Sequence, residues 1–155
     1  MEQHQLEQYI KEHRATVFRL AYSYVKNRED ADDITQDAFM RLYVADPSFE
    51  GASNVKAWLI RVTINLAKDM LRSGWYRSRA ELPDNIPCES EEEERLLDSV
   101  KKLNAENAAV IYLFYYEGYS VKEIAKLRRT TSAAVRTRLC RAREQLRKML
   151  TKEDL

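Results

Sequence analysis

Glycine and proline are scarce, three of each in 155 residues. So few turn-formers allow few chain reversals, and no long alternating run of β-branched residues is present. Both facts argue against a sandwich or barrel of short strands and predict an all-α chain. The two cysteines, Cys88 and Cys140, are isolated. They exclude a disulfide framework and a cysteine-rich zinc site, and a reducing cytoplasm is the expected compartment. No apolar run approaches the roughly 18 residues of a membrane span, so no membrane insertion is expected. The opening Met1-Glu2-Gln3-His4-Gln5 lacks the apolar segment of a signal peptide. The last residue, Leu155, leads us to expect no fused sensory domain. Apolar residues at 45% and charged residues at 33% suit a soluble helical protein.

A strong net charge is also missing, but the total of +1 conceals an asymmetry. Residues 1–74 carry 10 basic and 11 acidic side chains, residues 75–98 carry 3 and 8, and residues 99–155 carry 13 and 6. A neutral front, an acidic middle and a basic rear predict modules with different partners. The expected boundaries are a front domain over 1–74, a linker over 75–96 and a rear domain over 97–155. Pro83, Asp84, Asn85 and Pro87 break the linker, and Glu91 to Glu94 repel one another.

The rear module is the most informative. A helix is expected to begin near Glu94 and another to run from Glu106 to Glu117. Ser120-Val121-Lys122-Glu123 is a capping box that opens a short apolar-periodic helix. After Arg128-Arg129-Thr130, Thr131 should cap a second helix. There Val135, Leu139, Ala142, Leu146, Met149 and Leu150 form a core stripe. Arg136, Thr137, Cys140, Arg141, Glu144, Arg147 and Lys148 point away from that stripe. A short helix, a tight turn and a basic outward helix are what a helix-turn-helix brings to the DNA major groove.

In the front module, Leu6, Ile10, His13, Val17, Leu20 and Tyr24 share a face of a first helix. After a break at Lys26-Asn27-Arg28, Asp30 is expected to cap a second helix to about Val44. There Ala31, Ile34, Ala38 and Leu42 oppose Asp33, Gln36, Asp37 and Met40, with Phe39 and Tyr43 flanking. The acidic face is either a solvated surface or a partner surface, and Met and aromatics beside the acids favour the partner. Asp33 and Asp37 have no histidine or third carboxylate placed with them, so no metal is assigned. A loop from Asp46 to Asn54 leads to a third helix, from about Val55 to Arg72, ending near Ser73-Gly74. Its apolar arc is Leu59, Thr63, Leu66, Ala67, Met70 and Leu71. Trp58, Arg61, Asn65, Lys68, Asp69 and Arg72 form a polar strip suited to a nucleic-acid strand, with cations for phosphate and Asn65 for a base edge. Trp58 has a second reading, as a core residue at the helix start.

Three stretches carry a resemblance. Asp30 to Phe39 (DADDITQDAF) looks like the second conserved region of bacterial sigma factors. Ala57-Trp58-Leu59-Ile60-Arg61, Asn65 to Asp69 and Leu71-Arg72 look like the region next to it in those proteins. Tyr116 to Ala125 and Val135 to Arg143 look like the fourth region. The chain thus resembles an extracytoplasmic-function (ECF) sigma factor of the sigma-70 family. The resemblance implies two small helical domains joined by a flexible acidic linker, with no catalytic residues and no cofactor. It implies core RNA polymerase and promoter DNA as partners, with an anti-sigma factor as the usual control. Asp33, Gln36, Asp37 and Met40 would dock on the polymerase clamp. The loop with Phe49, Gly51 and Ser53, together with Asn65, would hold a base flipped from the −10 element. Arg61, Lys68 and Arg72 would grip the backbone. Arg136, Thr137, Cys140 and Arg141 would read the −35 element, and Arg138 and Arg143 would hold phosphates or intramolecular acids. The acidic linker would thread toward the polymerase active site or serve as a plain tether.

Some positions depart from that family. Its turn usually carries Leu-Gly-Ile or similar, where this chain has Arg128-Arg129-Thr130. Arg129 would be strained where glycine fits a positive φ, or the turn differs, and the extra cations would add phosphate contacts. Ala134 replaces a common Thr. Cys140 is expected to be a small exposed contact and not a redox switch. His13 is expected to be packed, His4 to be disordered, Cys88 to be inert, and Tyr112, Tyr115, Tyr116 and Tyr119 to lie mostly in the rear core. Two other functions compete. One is a stand-alone helix-turn-helix regulator, which would bind specific duplex tightly by itself. The other is a helical enzyme with a carboxylate metal site at Asp32, Asp33 and Asp37.

Overall fold

The computed structural model describes residues 1–73 and 102–153, apart from the side chains of Ala52, Ser53 and residues 150–153. All regular structure among the described residues is helical, and the chain divides into two compact units, Met1–Asn85 and Ile86–Leu155. The expected acidic linker and the helix expected near Glu94 fall outside the described residues.

In the first unit α1 spans Gln3–Val25, α2 Arg28–Ala45 and α3 Ala52–Arg72. Each helix packs on both others. Val17, Leu20 and Val25 of α1 are buried with Ile34, Ala38 and Leu42 of α2 and with Val55, Leu59, Ile60 and Ile64 of α3. Each large side chain so buried contributes about 1.5–3 kcal/mol. The hydroxyls of Ser23, Thr35 and Thr63, buried on the same faces, donate to the carbonyls of Leu20, Ala31 and Leu59. None of these three hydroxyls needs solvent.

The α1–α2 junction corrects one expectation. Lys26 ends α1 in the left-handed region at φ 59°, its N–H donating to the Tyr22 carbonyl at 2.8 Å. Asn27, not Asp30, then caps α2. Its Oδ1 accepts from the Asp30 N–H at 2.9 Å, and its Nδ2 donates to Asp30 Oδ2 at 2.7 Å. Asp30 lies one turn inside the helix, 3% exposed. Both residues are cap formers, so composition alone did not say which of them held the position. Asn27→Ala removes the cap and one partner of a buried carboxylate. It is expected to lower unfolding free energy by about 1–3 kcal/mol in urea titration. A change below about 0.5 kcal/mol would show that solvent replaces the pair.

In the second unit α4 spans Ala105–Ile111, followed by a π-helical turn over Tyr112–Tyr116. The helix-turn-helix pair is α5, Val121–Arg128, and α6, Ser132–Glu153. Asn104 caps α4 by accepting from the Asn107 N–H. The single helix expected over Glu106 to Glu117 thus ends in wider turns, with Glu117 N–H donating to Tyr112 O. The extra residue per turn shifts the helical face. Tyr112 stays buried, but Tyr115 is 56% exposed and Tyr116 41%, correcting their expected place in the core. Gly118 reverses the chain at φ 78°, where a side chain would be strained.

Candidate nucleic-acid and partner interfaces

The helix-turn-helix is built as its capping residues require. The Ser120 hydroxyl accepts from the Glu123 N–H at 3.1 Å, and the Glu123 carboxylate accepts from the Ser120 N–H at 3.0 Å. Ile124, Ala125 and Leu127 of α5 are buried. The turn is a Schellman closure: Thr130 N–H donates to Ala125 O at 2.9 Å and Arg129 N–H to Lys126 O at 3.3 Å. Arg129 holds the left-handed position at φ 55°, ψ 50°, which costs a side chain about 1 kcal/mol. Thr131 Oγ1 accepts from the Ala134 N–H at 3.1 Å and opens α6.

On α6, Val135, Leu139 and Ala142 are buried, and Leu146 and Met149 are half-buried. The side chain of Leu150, the last residue of the expected stripe, is not described. Arg136, Thr137, Cys140 and Arg141 are all exposed on the opposite side. Thr137 returns its hydroxyl to the Ala133 carbonyl at 3.0 Å. Arg147 pairs with Glu144 at 2.7 Å. Three other arginines are used within the unit. Arg138 donates to Asn107 Oδ1 at 3.4 Å, and Asn107 Nδ2 donates to Gln145 at 2.6 Å, so one buried asparagine holds two turns of α6. Arg143 donates to the Tyr115 hydroxyl at 2.5 Å and lies over the Phe114 and Tyr115 rings. Arg128 turns inward and pairs with Glu106, its side chain 8% exposed. Within the unit the partners of Arg138 and Arg143 are an amide and a tyrosine hydroxyl with aromatic rings, not acids.

Two titrations bear on the start of α5. The hydrogen bonds from Ser120 hold the Glu123 carboxyl below its usual range, and burial raises the Tyr119 hydroxyl, with Glu117 and Glu123 adding to that rise. The unfolded chain therefore takes up the Glu123 proton more readily than the folded one. The cap's stabilisation is complete above the ordinary carboxylate range and is lost as pH falls through the lowered folded value. Glu123→Gln is expected to flatten the melting temperature between about pH 5 and pH 3 relative to wild type. Parallel curves would contradict that role.

On α2, Asp33, Gln36 and Asp37 are exposed, with Met40 at 61% and Tyr43 at 45%. Phe39 is buried. Arg28 lies 3.9 Å from Asp32 and Arg41 3.2 Å from Asp37 along the helix. Among the described residues no group of three histidines, cysteines or acids is placed to hold a metal ion. Beside this face lies a groove of about 560 Å³, lined by Leu6 and Ile10 of α1 and by Phe39, Met40 and Tyr43 of α2. The exposed apolar side chains and the acids thus form one continuous surface, which suits a partner better than solvent alone.

On α3, Arg61, Asn65, Asp69 and Arg72 are exposed, Lys68 is half-buried, and Arg72 pairs with Asp69. Trp58 is half-buried and meets the Phe49 ring edge-on at 6.5 Å. Phe49 in turn meets Tyr9 edge-on at 6.5 Å, and Tyr9 lies 6.5 Å from the half-buried His13. Phe49 therefore anchors the α2–α3 loop to α1 and α3. Sequence reading missed this contact; its one signal was Tyr9 and His13 one turn apart on α1. Gly51 precedes α3 in extended backbone with open space around it. The Ser53 side chain is outside the description.

The chain is similar to known proteins. The sigma-70 region 2 family matches residues 9–77, and the sigma-70 region 4 family matches residues 93–146. The chain is 30% identical over 152 residues to RNA polymerase sigma factor SigV of Bacillus subtilis, covering 94% of this chain and 91% of SigV. It is 32% identical to ECF RNA polymerase sigma factor SigE of Mycolicibacterium smegmatis, covering 94% of this chain and 61% of that protein. Among solved structures, CnrH in complex with the cytosolic domain of CnrY matches with a TM-score of 0.67 and 26% identity, covering 97% of this chain and 90% of CnrH.

Proposed function

The chain belongs to the sigma-70 family of RNA polymerase sigma factors, in its ECF group, and on that premise we propose how its residues divide the work. It is a transcription-initiation factor that binds core RNA polymerase and directs it to promoters. Residues 1–74 form the module for polymerase and the −10 element, residues 75–96 the tether, and residues 97–155 the module for the −35 element. Asp33, Gln36, Asp37 and Met40 dock on polymerase. Asn65 and the loop from Phe49 to Val55, with Gly51 and Ser53, receive an unstacked base, and Arg61, Lys68 and Arg72 hold its backbone. Arg136, Thr137, Cys140 and Arg141 read the −35 element from the outer face of α6.

The observation that carries this reading is the pairing of two surfaces in one chain. The first unit exposes acids, Met40 and Tyr43 on one helix; the second exposes Arg136 and Arg141 on a helix-turn-helix. Opening a duplex costs a few kcal/mol per unstacked base, so a pocket for that base both melts and reads the sequence. Arginine takes both acceptors of a guanine edge. Tethering makes the second of two modest contacts intramolecular. Phe49 does its part indirectly, by fixing the loop. The chain works in the cytoplasm without chemistry of its own. An anti-sigma factor would act by covering these same surfaces.

The test is enrichment of random-sequence duplexes by the chain with sigma-free core polymerase and by the chain alone. The expected result is a bipartite −35/−10 sequence that emerges only with polymerase. Tight specific enrichment by the chain alone would favour a stand-alone regulator.

A further inference from the structure

We propose that Asn107, in the first turn of α4, is a positioning residue that sets the rotation of α6 about its own axis and so decides which bases its outer face reads. This rests on the sigma-factor reading and deepens it. Asn107 is 3% exposed, and its backbone N–H is held by the Asn104 cap at 2.9 Å. Both ends of its side-chain amide are directed to α6. Nδ2 donates to Gln145 Oε1 at 2.6 Å, and Oδ1 accepts from Arg138 at 3.4 Å. Arg138 and Gln145 stand about two helical turns apart, and at 100° per residue they fall within about 20° of one another around the axis. One buried amide thus grips a single edge of α6 at two heights.

The apolar core of the unit does not fix this angle. Val135, Leu139 and Ala142 of α6 are buried, but burial of apolar surface is non-directional, and such cores lose uniqueness before they lose stability. A hydrogen bond is directional and holds only over a narrow range of distance. Side-chain ends lie about 6 Å from a helix axis, so a rotation of about 20° carries them about 2 Å. That is enough to break a bidentate guanine contact from Arg136 or Arg141 on the exposed face. Replacing both partners of a buried hydrogen bond by apolar groups costs little stability, so what this amide supplies is orientation. A satisfied buried polar network specifies one arrangement. The adjacent residue acts likewise on the other helix of the motif, Glu106 pairing with Arg128 at the end of α5. The first turn of α4 therefore holds both helices.

The test uses the full chain in complex with core polymerase. The probes are a duplex that this complex enriches from a random library and copies of it with single substitutions in the −35 half. Variants are Asn107→Leu, which keeps an apolar side chain of similar size and removes both bonds, Gln145→Ala, and the two combined. Gln145 is exposed, so its truncation leaves the core intact and decides the matter even if Asn107→Leu fails to fold. Tyr112→Phe, which removes a hydrogen bond to Glu117 at 2.6 Å, is the stability control. Asn107→Leu is expected to lower the preference for the enriched duplex over its substituted copies about tenfold, within the range of one bidentate contact. Binding to unrelated duplex, which rests on backbone contacts, should change by less than about twofold. Gln145→Ala should lower the preference about threefold, and the combined variant no further than Asn107→Leu alone, because both remove the same bond. Tyr112→Phe should melt lower yet keep the wild-type preference. The inference is overturned if Gln145→Ala keeps the wild-type preference, if the variants weaken all duplexes equally, or if Tyr112→Phe lowers the preference as much. Failure of the sigma reading would look different: wild-type chain would form no complex with polymerase and enrich no bipartite sequence.

Discussion

Replacing Arg136 and Arg141 together by alanine is expected to abolish discrimination between promoter and unrelated duplex while leaving the chain folded. Both side chains are exposed on α6, opposite the buried Val135, Leu139 and Ala142, so their loss opens no cavity. A bidentate arginine–guanine pair is worth about 1–3 kcal/mol, so losing two costs about 2–6 kcal/mol, about thirtyfold or more in promoter affinity. Binding to unrelated duplex should fall only by the salt-dependent part, severalfold at low salt. Arg147→Ala, which removes a partner of Glu144 on the same helix, serves as the control and should change little. Competition binding of the polymerase complex between the two duplexes reads the ratio. If the ratio survives the double substitution, sequence is read elsewhere and α6 is only a backbone contact.

The second large effect belongs to α2. The triple variant Asp33→Ala, Gln36→Ala, Asp37→Ala is expected to lose polymerase binding by about 100-fold or more. Central interface residues cost about 2 kcal/mol or more each when truncated. Folding should hardly notice. All three are exposed, and the one ion pair lost, Asp37 with Arg41, is a surface pair worth about 0.3–0.5 kcal/mol. Calorimetric binding alongside circular dichroism separates the two effects. Loss of both binding and helicity would mean that the face is structural.

Much of this was legible because the helices are amphipathic with a clear period. The faces of α2 and α6 could be written down from spacing, and the capping box at Ser120 and the cap at Thr131 from residue type. What was not legible depends on distant partners. Nothing local says that Arg128 turns inward, because Glu106 lies on another helix. Nothing in four nearby tyrosines says that a π-turn carries Tyr115 and Tyr116 to the surface while Tyr112 stays inside. Nothing local says that Phe49 packs against both Tyr9 and Trp58. Ile60 and Ile64 were absent from the expected arc of α3, because that helix is buried on a wider face than one stripe.

Gel filtration of the chain with sigma-free bacterial core polymerase, at low salt and with a known sigma factor as positive control, tests the account most directly. The account predicts that wild-type chain co-elutes with polymerase and that the triple α2 variant does not. Wild-type chain eluting alone, while the control sigma factor binds, would contradict it.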